Sequence, residues 1–512
     1  MAGHIKSSTT IPTSAEERIH AEHLIVVTNR GPVEYYIEQD KKLKHRRGSG
    51  GVVTALLEAL PSMDATWIAL AMTEGDRLAL QEALDGRLSS PLPGEQMQLR
   101  YVTVPKNVYH NHYDMISNRV LWFAQHYLLD RPEASISSER ILYAWDNGYV
   151  KANSAIADAV CDEVKRNQSS STAVLLHDYH LYLAPAMIRD RCKPSVMQQF
   201  IHIPWPEIRY WQAHLPSSIT QAIYNGLLGN DIIGFQTRRD VQNFLEGAHT
   251  LFDDADVDVE NGSIVRQGHR SVVHDYPISI SVSEERRAVQ STAGKRATRR
   301  IRSLLKEQNI MRVDRIEPTK NILQGFQAYQ YLLNQHSELR GRITFLAFLV
   351  PSRQSLPIYR QYRQDILKLI EEINQKFGDK HWTPIHAFVQ NDRITALVAL
   401  QFYDALLVNP LIDGMNLVAK EGPAVNQKDG VLVLSRTSGA FQQLGEASIP
   451  VSPADTVETA EALYKALTFS PEERHKLAEP ARQEVERDDL KTWITQQVRD
   501  INAVIGRYMT NS

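Results

Sequence analysis

The sequence contains little cysteine and no apolar stretch long enough to cross a bilayer. Its 512 residues include only Cys161 and Cys192, too few for a disulfide framework or a cysteine-ligated metal site, and such sparse use fits a reducing compartment. The longest apolar runs, such as residues 345–350, have the length of a strand and fall far below the roughly 20 residues of a transmembrane helix. These absences predict a cytoplasmic protein that does not interact with a membrane.

Neither sign of charge is in large excess. The 57 lysines and arginines nearly balance the 60 aspartates and glutamates, so a formal net charge of -3 provides no general attraction for nucleic acid. Hydrophobic residues make up 43% of the chain, which is typical of a globular protein rather than a disordered one. The chain is also several times longer than a typical domain of about 150 residues, which predicts more than one domain.

Short β-rich runs alternate with longer helix-compatible segments along most of the chain. The runs comprise residues 24–27, 67–72, 173–176, 199–203, 231–235, 343–350, 405–408 and 431–434. This alternation predicts an α/β fold built on parallel sheets. Several runs are wholly apolar, as expected for strands that helices cover on both faces.

The length suits two doubly wound domains, separated by a hinge near residues 275–285. Residues 1–22 are polar and predict a disordered leader. Residues 481–512 are charged and helical in pattern, with an apolar face that includes Trp493. We therefore predict domains at 23–280 and 281–480, and a final helix within 481–512 that packs back on the N-terminal domain.

The clearest candidate site is the segment 410–421, which directly follows an apolar strand run. A strand, a glycine-containing turn and a helix would aim the amides of residues 414–417 at an anion such as a diphosphate. Asp413 and Glu421 lie eight residues apart, a little over two helical turns, so both can face one cleft and accept the hydroxyls of a sugar and a ribose. Alternatively, Asp413 caps the helix and Glu421 is a solvated charge.

Two basic residues, Arg315 and Lys320, follow a strand-like run at residues 311–313. At the mouth of a cleft they could hold a diphosphate and offset the negative charge that it gains as a glycosidic bond breaks. An exposed surface with salt bridges is the alternative explanation of this spacing.

Three histidines, His177, His180 and His202, lie at or just beyond the ends of predicted strands. They lack the carboxylate-supported spacing of a zinc site, so we expect no metal there. A histidine in this position either hydrogen-bonds a sugar hydroxyl or occupies a satisfied place in the core.

The first predicted strand ends shortly before Arg30, and the sequence Gly-Ser-Gly-Gly follows at residues 48–51. These glycines permit a close approach of the backbone to a phosphate or a sugar, although the same pattern is common in flexible loops. The segment matches neither a P-loop nor a dinucleotide-binding fingerprint, which argues against ATP and NAD chemistry.

Together these segments closely resemble the trehalose-6-phosphate synthase family, from about residue 24 to beyond Trp493 and with the motifs in the same order. Members of this family are retaining glycosyltransferases. The resemblance implies the α/β fold called GT-B, in which two Rossmann-like domains face each other across a cleft. It assigns acceptor binding to residues 23–280 and nucleotide-sugar binding to residues 281–480.

The resemblance also implies a role for individual residues. The acceptor phosphate would be bound by Arg30, Tyr113, Trp122 and Arg353. The donor would be bound by Gly50, Gly51, His177, Arg315, Lys320, Asp413, Gly414, Met415, Asn416, Leu417 and Glu421. The catalytic residues would be Asp146, His177, Arg315 and Lys320.

The implied reaction transfers glucose from UDP-glucose or GDP-glucose to glucose 6-phosphate, with retained configuration, and gives trehalose 6-phosphate. In this family the acceptor is thought to attack from the front face while the leaving phosphate takes its proton, so no enzymic nucleophile, metal or other cofactor is expected. The choice of donor base and the existence of a homo-oligomer stay open at this point.

Three departures from the family pattern affect the fine geometry of this site. Pro318-Thr-Lys320-Asn321 stands where the family usually has tyrosine, serine, lysine and glycine, Ile412 replaces an arginine, and one extra residue follows Asp146 before the next tyrosine. The alternatives are a related phosphoglycoside synthase, such as a glucosylglycerol-phosphate synthase or a pseudo-glycosyltransferase, and a non-catalytic regulatory subunit.

Overall fold

The computed structural model of the protein describes residues 18–38, 42–48, 65–81, 83, 85–92, 97–131, 135–167, 171–354 and 356–510. Most of the predicted leader at 1–22 lies outside the described residues, and so does the glycine pair Gly50 and Gly51.

The strands form two large sheets and one hairpin. They are β1 His23–Val27, β2 Val33–Ile37, β3 Leu43–Arg47, β4 Ala65–Leu70, β5 Leu88–Ser89, β6 Met97–Val102, β7 Thr172–His177, β8 Val196–Phe200, β9 Ile232–Phe235, β10 Ala255–Asp258, β11 Ser263–Arg266, β12 His269–Asp275, β13 Gln308–Arg315, β14 Ile343–Val350, β15 Ile385–Phe388, β16 Ala405–Val408, β17 Val431–Ser435 and β18 Ile449–Val451.

The helices cover both faces of these sheets. The α-helices are α1 Glu74–Gln81, α2 Lys106–Tyr109, α3 Trp122–Gln125, α4 Ser138–Ala144, α5 Val150–Arg166, α6 Ala184–Arg191, α7 Ile208–His214, α8 Ser217–Leu227, α9 Arg238–Leu251, α10 Val282–Gln290, α11 Thr292–Arg302, α12 Ile322–Gln335, α13 Pro357–Phe377, α14 Arg393–Ala399, α15 Val418–Val425, α16 Phe441–Leu444, α17 Thr456–Thr468, α18 Pro471–Arg487 and α19 Leu490–Thr510. Two segments are π-helical, His110–Leu121 and Trp145–Tyr149, and short 3₁₀ turns occur at Tyr179–Leu181, Pro318–Lys320 and Ser337–Leu339.

The larger sheet has the strand order β10-β11-β12-β9-β8-β7-β1-β4-β6-β5. Its strands from β12 to β6 pair in parallel, and β5, β10 and β11 add antiparallel edges. β1 and β7 are buried along their whole length, because helices cover the sheet on both sides. We call this sheet and its helices the N-terminal lobe.

The smaller sheet is parallel throughout and has the order β15-β14-β13-β16-β17-β18. Numbered from its own first strand, this order is 3-2-1-4-5-6, that of a dinucleotide-binding α/β domain. We call this sheet and its helices the C-terminal lobe. The larger sheet ends at Asp275 and the smaller begins at Gln308, so the predicted hinge at 275–285 falls between the two sheets.

The final helix α19 returns from the C-terminal lobe to the larger sheet. Trp493 packs edge-on against Phe200 of β8 with a centroid distance of 5.4 Å, and its indole N–H donates to the carbonyl of Tyr276 at 3.1 Å. Gln497 on the same helix accepts a hydrogen bond from Gln198 of β8 at 2.8 Å. These contacts join α19 to the N-terminal lobe.

Cys161 and Cys192 form a disulfide, which the sequence analysis did not predict. Although 31 residues separate them, α5 and α6 pack together and bring their Cα atoms to 5.6 Å, within the range that a disulfide requires. The cytoplasmic location stays a prediction. Within the described residues, no helix combines the length and apolarity needed to cross a bilayer.

The packing of α19 generates a stability prediction. Trp493 is buried in the core that joins the helix to the larger sheet, so Trp493→Ala should lower the free energy of unfolding by about 3–5 kcal/mol. Chemical denaturation followed by circular dichroism measures this change. Gln496→Ala, at an exposed position of the same helix, should stay within about 0.5 kcal/mol of wild type. A Trp493→Ala protein as stable as wild type would show that α19 is not held this way.

Candidate active site

The sequence-predicted residues lie where the strand order of each sheet reverses. In the smaller sheet β13 and β16 are neighbours, and Arg315 ends the first while Asp413 follows the second. In the larger sheet β1 and β7 are neighbours, and Arg30 follows the first while His177 ends the second. Doubly wound sheets bind ligands in the crevice outside the carboxyl ends of such strands. Both lobes therefore present predicted residues at the expected place.

Lys320 and Asp413 form an ion pair at the mouth of the C-terminal lobe. The side-chain amide of Asn416 donates to the same carboxylate at 3.1 Å. Burial would raise the pKa of Asp413, but the charge of Lys320 and its hydrogen bond lower that pKa below its usual value. The site thus holds an ionised carboxylate, a group that can accept hydrogen bonds from sugar hydroxyls.

The loop before α15 offers a cradle for an anion. The backbone N–H groups of residues 414–417 donate no hydrogen bond to another residue of the described chain, as expected for orphan donors that precede a helix. The loop also meets the other lobe, because a Cβ atom on Gly414 would lie 2.1 Å from the carbonyl oxygen of His202. The lobes therefore touch here backbone to backbone.

Asp413 is not a helix cap and Glu421 is not a fully solvated charge, the two alternative roles that the sequence allowed. Leu417 precedes α15 without any side-chain cap, so Asp413 is not the capping residue. Glu421 is only partly exposed, and burial raises its pKa against the opposing charge of Arg393. Asp413 thus lies beside Lys320 at the end of the C-terminal sheet, whereas the place of Glu421 in the cleft stays a prediction.

Histidines line the N-terminal side of the gap. Nδ1 of His177 lies 3.2 Å from Nε2 of His202, whereas Nε2 of His177 is buried and has no partner in the described chain. Burial lowers the pKa of His177 to about 3, so the ring is neutral. Asp178, which the sequence analysis missed, accepts a hydrogen bond from the backbone of His202 at 3.2 Å. Its φ of 72° is rare for a residue other than glycine.

Arg353 reaches across the gap from the C-terminal lobe. Its Nε donates to Oδ1 of Asn118 at 3.0 Å and its Nη2 to the hydroxyl of Tyr179 at 3.3 Å. The guanidinium also lies 4.0 Å from the ring centre of Trp122, a cation–π contact. The predicted Trp122 and Arg353 are thus in contact, and Asn118 is an additional partner that the sequence did not reveal.

His180 connects Tyr113 and Arg30 with the residues around Arg353. Burial lowers the pKa of His180 most, and the charges of Arg353 and Arg30 lower it further, so both arginines are within electrostatic reach of one ring. Tyr113 stacks on His180 with a centroid distance of 5.8 Å. Contacts therefore connect Tyr113, Trp122 and Arg353, whereas the place of Arg30 at the phosphate stays a prediction.

Arg315 completes a single cationic gap. It lies 5.7 Å from the ring centre of Trp122, the side chain that Arg353 also covers. Glu317 pairs with both arginines, at 3.0 Å to Arg315 and 2.9 Å to Arg353. Glu317 lies in the sequence between the predicted Arg315 and Lys320, but its role was not predicted, because spacing does not show which acid is buried between two cations.

The structure does not bring every predicted residue into this group. Asp146 is exposed in the π-helical turn Trp145–Tyr149, and no described hydrogen bond or ion pair joins it to the other site residues. Gly50 and Gly51 lie outside the described residues. No group of three metal-ligating side chains converges in the part of the chain that is described, and the metal-independent reaction stays a prediction.

Comparisons with known proteins agree with this geometry. The sequence profile named Glycosyltransferase family 20 matches residues 22–503. The chain belongs to this family. A solved structure described as "Trehalose-6-phosphate from E. coli bound with UDP-2-fluoro glucose" is similar with a TM-score of 0.79 and 27% identity, over 94% of this chain and 99% of that one.

Two relatives in this family carry names that state an activity. The alpha,alpha-trehalose-phosphate synthase (UDP-forming) of Yarrowia lipolytica is 31% identical over 464 residues, 88% of this chain and 93% of the relative. The bifunctional trehalose-6-phosphate synthase/phosphatase of Thermoproteus tenax is 30% identical over 490 residues, which cover 92% of this chain and 62% of that protein. The family, the GT-B fold and the glycosyltransferase class predicted from the sequence are confirmed.

Asp178 generates a prediction about pH. Burial raises the pKa of its carboxyl from 3.8 to about 7, although hydrogen bonds and arginine charges oppose this rise. Because the folded pKa is the higher one, the protonated carboxyl favours the fold below pH 3.8, and that contribution is lost as the pH rises toward 7. Asp178→Asn keeps an accepting oxygen and suits a positive φ. Its stability relative to wild type should be on the order of 2–3 kcal/mol greater at pH 8 than at pH 5.

Chemical denaturation at the two pH values checks this difference. Asp253→Asn, at an exposed aspartate, serves as the control and should change stability equally at pH 5 and pH 8. An equal effect of Asp178→Asn at both values would show that its carboxyl titrates normally.

Proposed function

We propose that this family 20 enzyme transfers glucose from a nucleoside diphosphate glucose to glucose 6-phosphate, with retained configuration, and so makes trehalose 6-phosphate. The carrying observation is that Arg315 and Arg353 lie over the same Trp122 in one gap between the lobes. Two cationic groups at this spacing suit a reaction with an anionic group on each reactant. The names of the relatives state the same activity.

UDP-glucose is the donor that the comparisons favour. The Yarrowia relative is named UDP-forming, and the E. coli structure carries UDP-2-fluoro glucose. In this chain the free amides of residues 414–417 would hold the diphosphate, with Lys320 and Arg315 beside it. Asp413 and Glu421 would accept hydrogen bonds from hydroxyl groups of the sugar and the ribose.

The acceptor would enter from the N-terminal side. Arg30 and Arg353 would grip the phosphate of glucose 6-phosphate, and Tyr113 and Trp122 would pack beside it. The unpaired Nε2 of neutral His177 would form one hydrogen bond with the transferred glucose, either as donor or as acceptor. Asp146 would have to approach the acceptor hydroxyl from its exposed turn.

The chemical step exchanges one bond at the anomeric carbon of the donor. The bond from that carbon to the diphosphate oxygen breaks, and a bond to the anomeric oxygen of the acceptor forms on the same face. The departing phosphate oxygen takes the acceptor's proton, so no side chain acts as a nucleophile. Arg315 and Lys320 stabilise the negative charge that grows on the diphosphate. Closure of the lobes keeps water from the activated sugar.

Product analysis tests the proposed reaction. UDP-glucose and GDP-glucose are each combined with glucose 6-phosphate, glycerol 3-phosphate and free glucose. We expect trehalose 6-phosphate from UDP-glucose and glucose 6-phosphate. Free glucose should give little product, because it lacks the phosphate that Arg30 and Arg353 would bind. Preferential use of glycerol 3-phosphate would favour the related phosphoglycoside synthases, and no product from any pair would favour a regulatory subunit. No observation among the described residues supports either alternative at present.

Arg315→Ala tests the assignment of the leaving group. The substitution removes a charge that binds the transition state more strongly than the ground state, so turnover should fall by roughly 100-fold or more. Steady-state assays with both substrates saturating measure this loss. Arg342→Ala is the matched control, because Arg342 forms an exposed ion pair with Glu307 at 2.8 Å outside the cleft. Unchanged turnover in Arg315→Ala would remove the proposed role.

A further inference from the structure

Glu317 lies between the two arginines that contact opposite reactants in the proposed reaction. A single carboxylate oxygen, Oε1, accepts a hydrogen bond from Nη1 of Arg353 at 2.9 Å and forms an ion pair with Nη1 of Arg315 at 3.0 Å. The hydroxyl of Ser352 donates to the same oxygen at 2.7 Å. Glu317 is fully buried. The two arginines therefore share one desolvated negative charge.

The ends of β13 and β14 place this carboxylate. Arg315 pairs with Val350 in parallel register, and the chains then diverge toward Glu317 and Arg353. The backbone N–H of Ile316 donates to the carbonyl of Val350 at 2.8 Å, and that of Glu317 donates to the carbonyl of Arg315 at 2.8 Å. These bonds fix the backbone at the acid and at the residue before it, which helps to hold its side chain between the two cations.

The two arginines depend on Glu317 to different degrees. Arg353 is also held by Asn118 and Tyr179, and its side chain is only 14% exposed. The side chain of Arg315 is 49% exposed, and within the described residues Glu317 is its only acidic partner. Because Arg353 is held firmly, Glu317 between the two arginines restrains the more exposed Arg315.

We propose that Glu317 is a positioning residue that holds Arg315 at a set distance from Arg353 and thereby fixes the separation between the leaving diphosphate and the acceptor phosphate. This inference rests on the proposed function. Two guanidinium groups this close together repel each other unless an anion lies between them. Without Glu317, Arg315 keeps its charge near both anion sites but loses the fixed orientation that the transition state requires.

The carboxylate also sets the charge of the gap. Burial would raise the pKa of Glu317, but the charges of Arg315 and Arg353 and the hydrogen bond from Ser352 lower it to about 2. The group is thus ionised at neutral pH and cancels one of the two positive charges. Its neutralisation increases the positive potential at both anion sites, which strengthens ground-state binding while it loosens the geometry of the transition state.

Glu317→Gln separates these two effects, because it keeps the shape of the side chain and removes its charge. We expect kcat for trehalose 6-phosphate formation to fall roughly tenfold or more. UDP and glucose 6-phosphate, each titrated alone into the full chain by calorimetry, should bind roughly twofold to fivefold more tightly. Partial unfolding would reduce the number of binding sites but would not tighten Kd, so this split between Kd and kcat identifies a positioning role.

Glu163 provides a matched control. It is also a fully buried carboxylate shared by two arginines, Arg87 and Arg100, and none of its described contacts involves a predicted site residue. Glu163→Gln should lower the midpoint of thermal unfolding while kcat per folded molecule and both Kd values stay at wild-type levels.

Glu317→Asp provides a second variant that keeps the charge and shortens its reach by one methylene. Its kcat should also fall roughly tenfold, without tighter anion binding; if Glu317→Gln does not fold, this kcat decides the question. Wild-type kcat in either folded Glu317 variant would overturn the proposal, as would a loss of kcat in Glu317→Gln without tighter binding of both anions. When the wild-type chain makes trehalose 6-phosphate, these failures concern Glu317 alone; a wild-type chain that makes none refutes the proposed function.

Discussion

A buried guanidinium that contacts both lobes is the constraint on which the rest of the site depends. Arg353 extends from the C-terminal sheet, yet it is bound by Asn118 and Tyr179 of the N-terminal lobe and lies over Trp122. A cation removed from water must be paired, and Glu317 supplies the charge from the cation's own sheet. Contact between the lobes at Arg353 and neutralisation of its charge therefore depend on the same group of side chains.

Sequence periodicity predicts the centre of both sheets because parallel strands covered on two faces are apolar throughout. The run at 405–408 coincides with β16 and that at 343–350 with β14, whereas the half-exposed edge strands β10 and β11 left no clear signal. Charged residues at strand ends were predictable for the same topological reason. Their partners were not, because Asn118 meets Arg353 across 235 positions of sequence, and only backbone geometry distinguishes Asp178.

Two of the departures from the family pattern have a structural explanation. Asn321 stands where the family usually has glycine, and its φ of 56° lies in the left-handed region that asparagine tolerates better than most residues. The extra residue after Asp146 falls in the π-helical turn Trp145–Tyr149, which holds one residue more than an α-helical turn. The local backbone thus accommodates both changes.

Where Gly414 meets the carbonyl of His202, the distance between the two lobes is limited by a residue that has no side chain. Even a methyl group there would collide with this carbonyl and push the two lobes apart. In the proposed reaction, solvent would then reach the anomeric carbon, and an activated sugar exposed to it would be hydrolysed instead of transferred. The smallest amino acid at this point therefore protects the yield of the reaction without ever touching a reactant through a side chain.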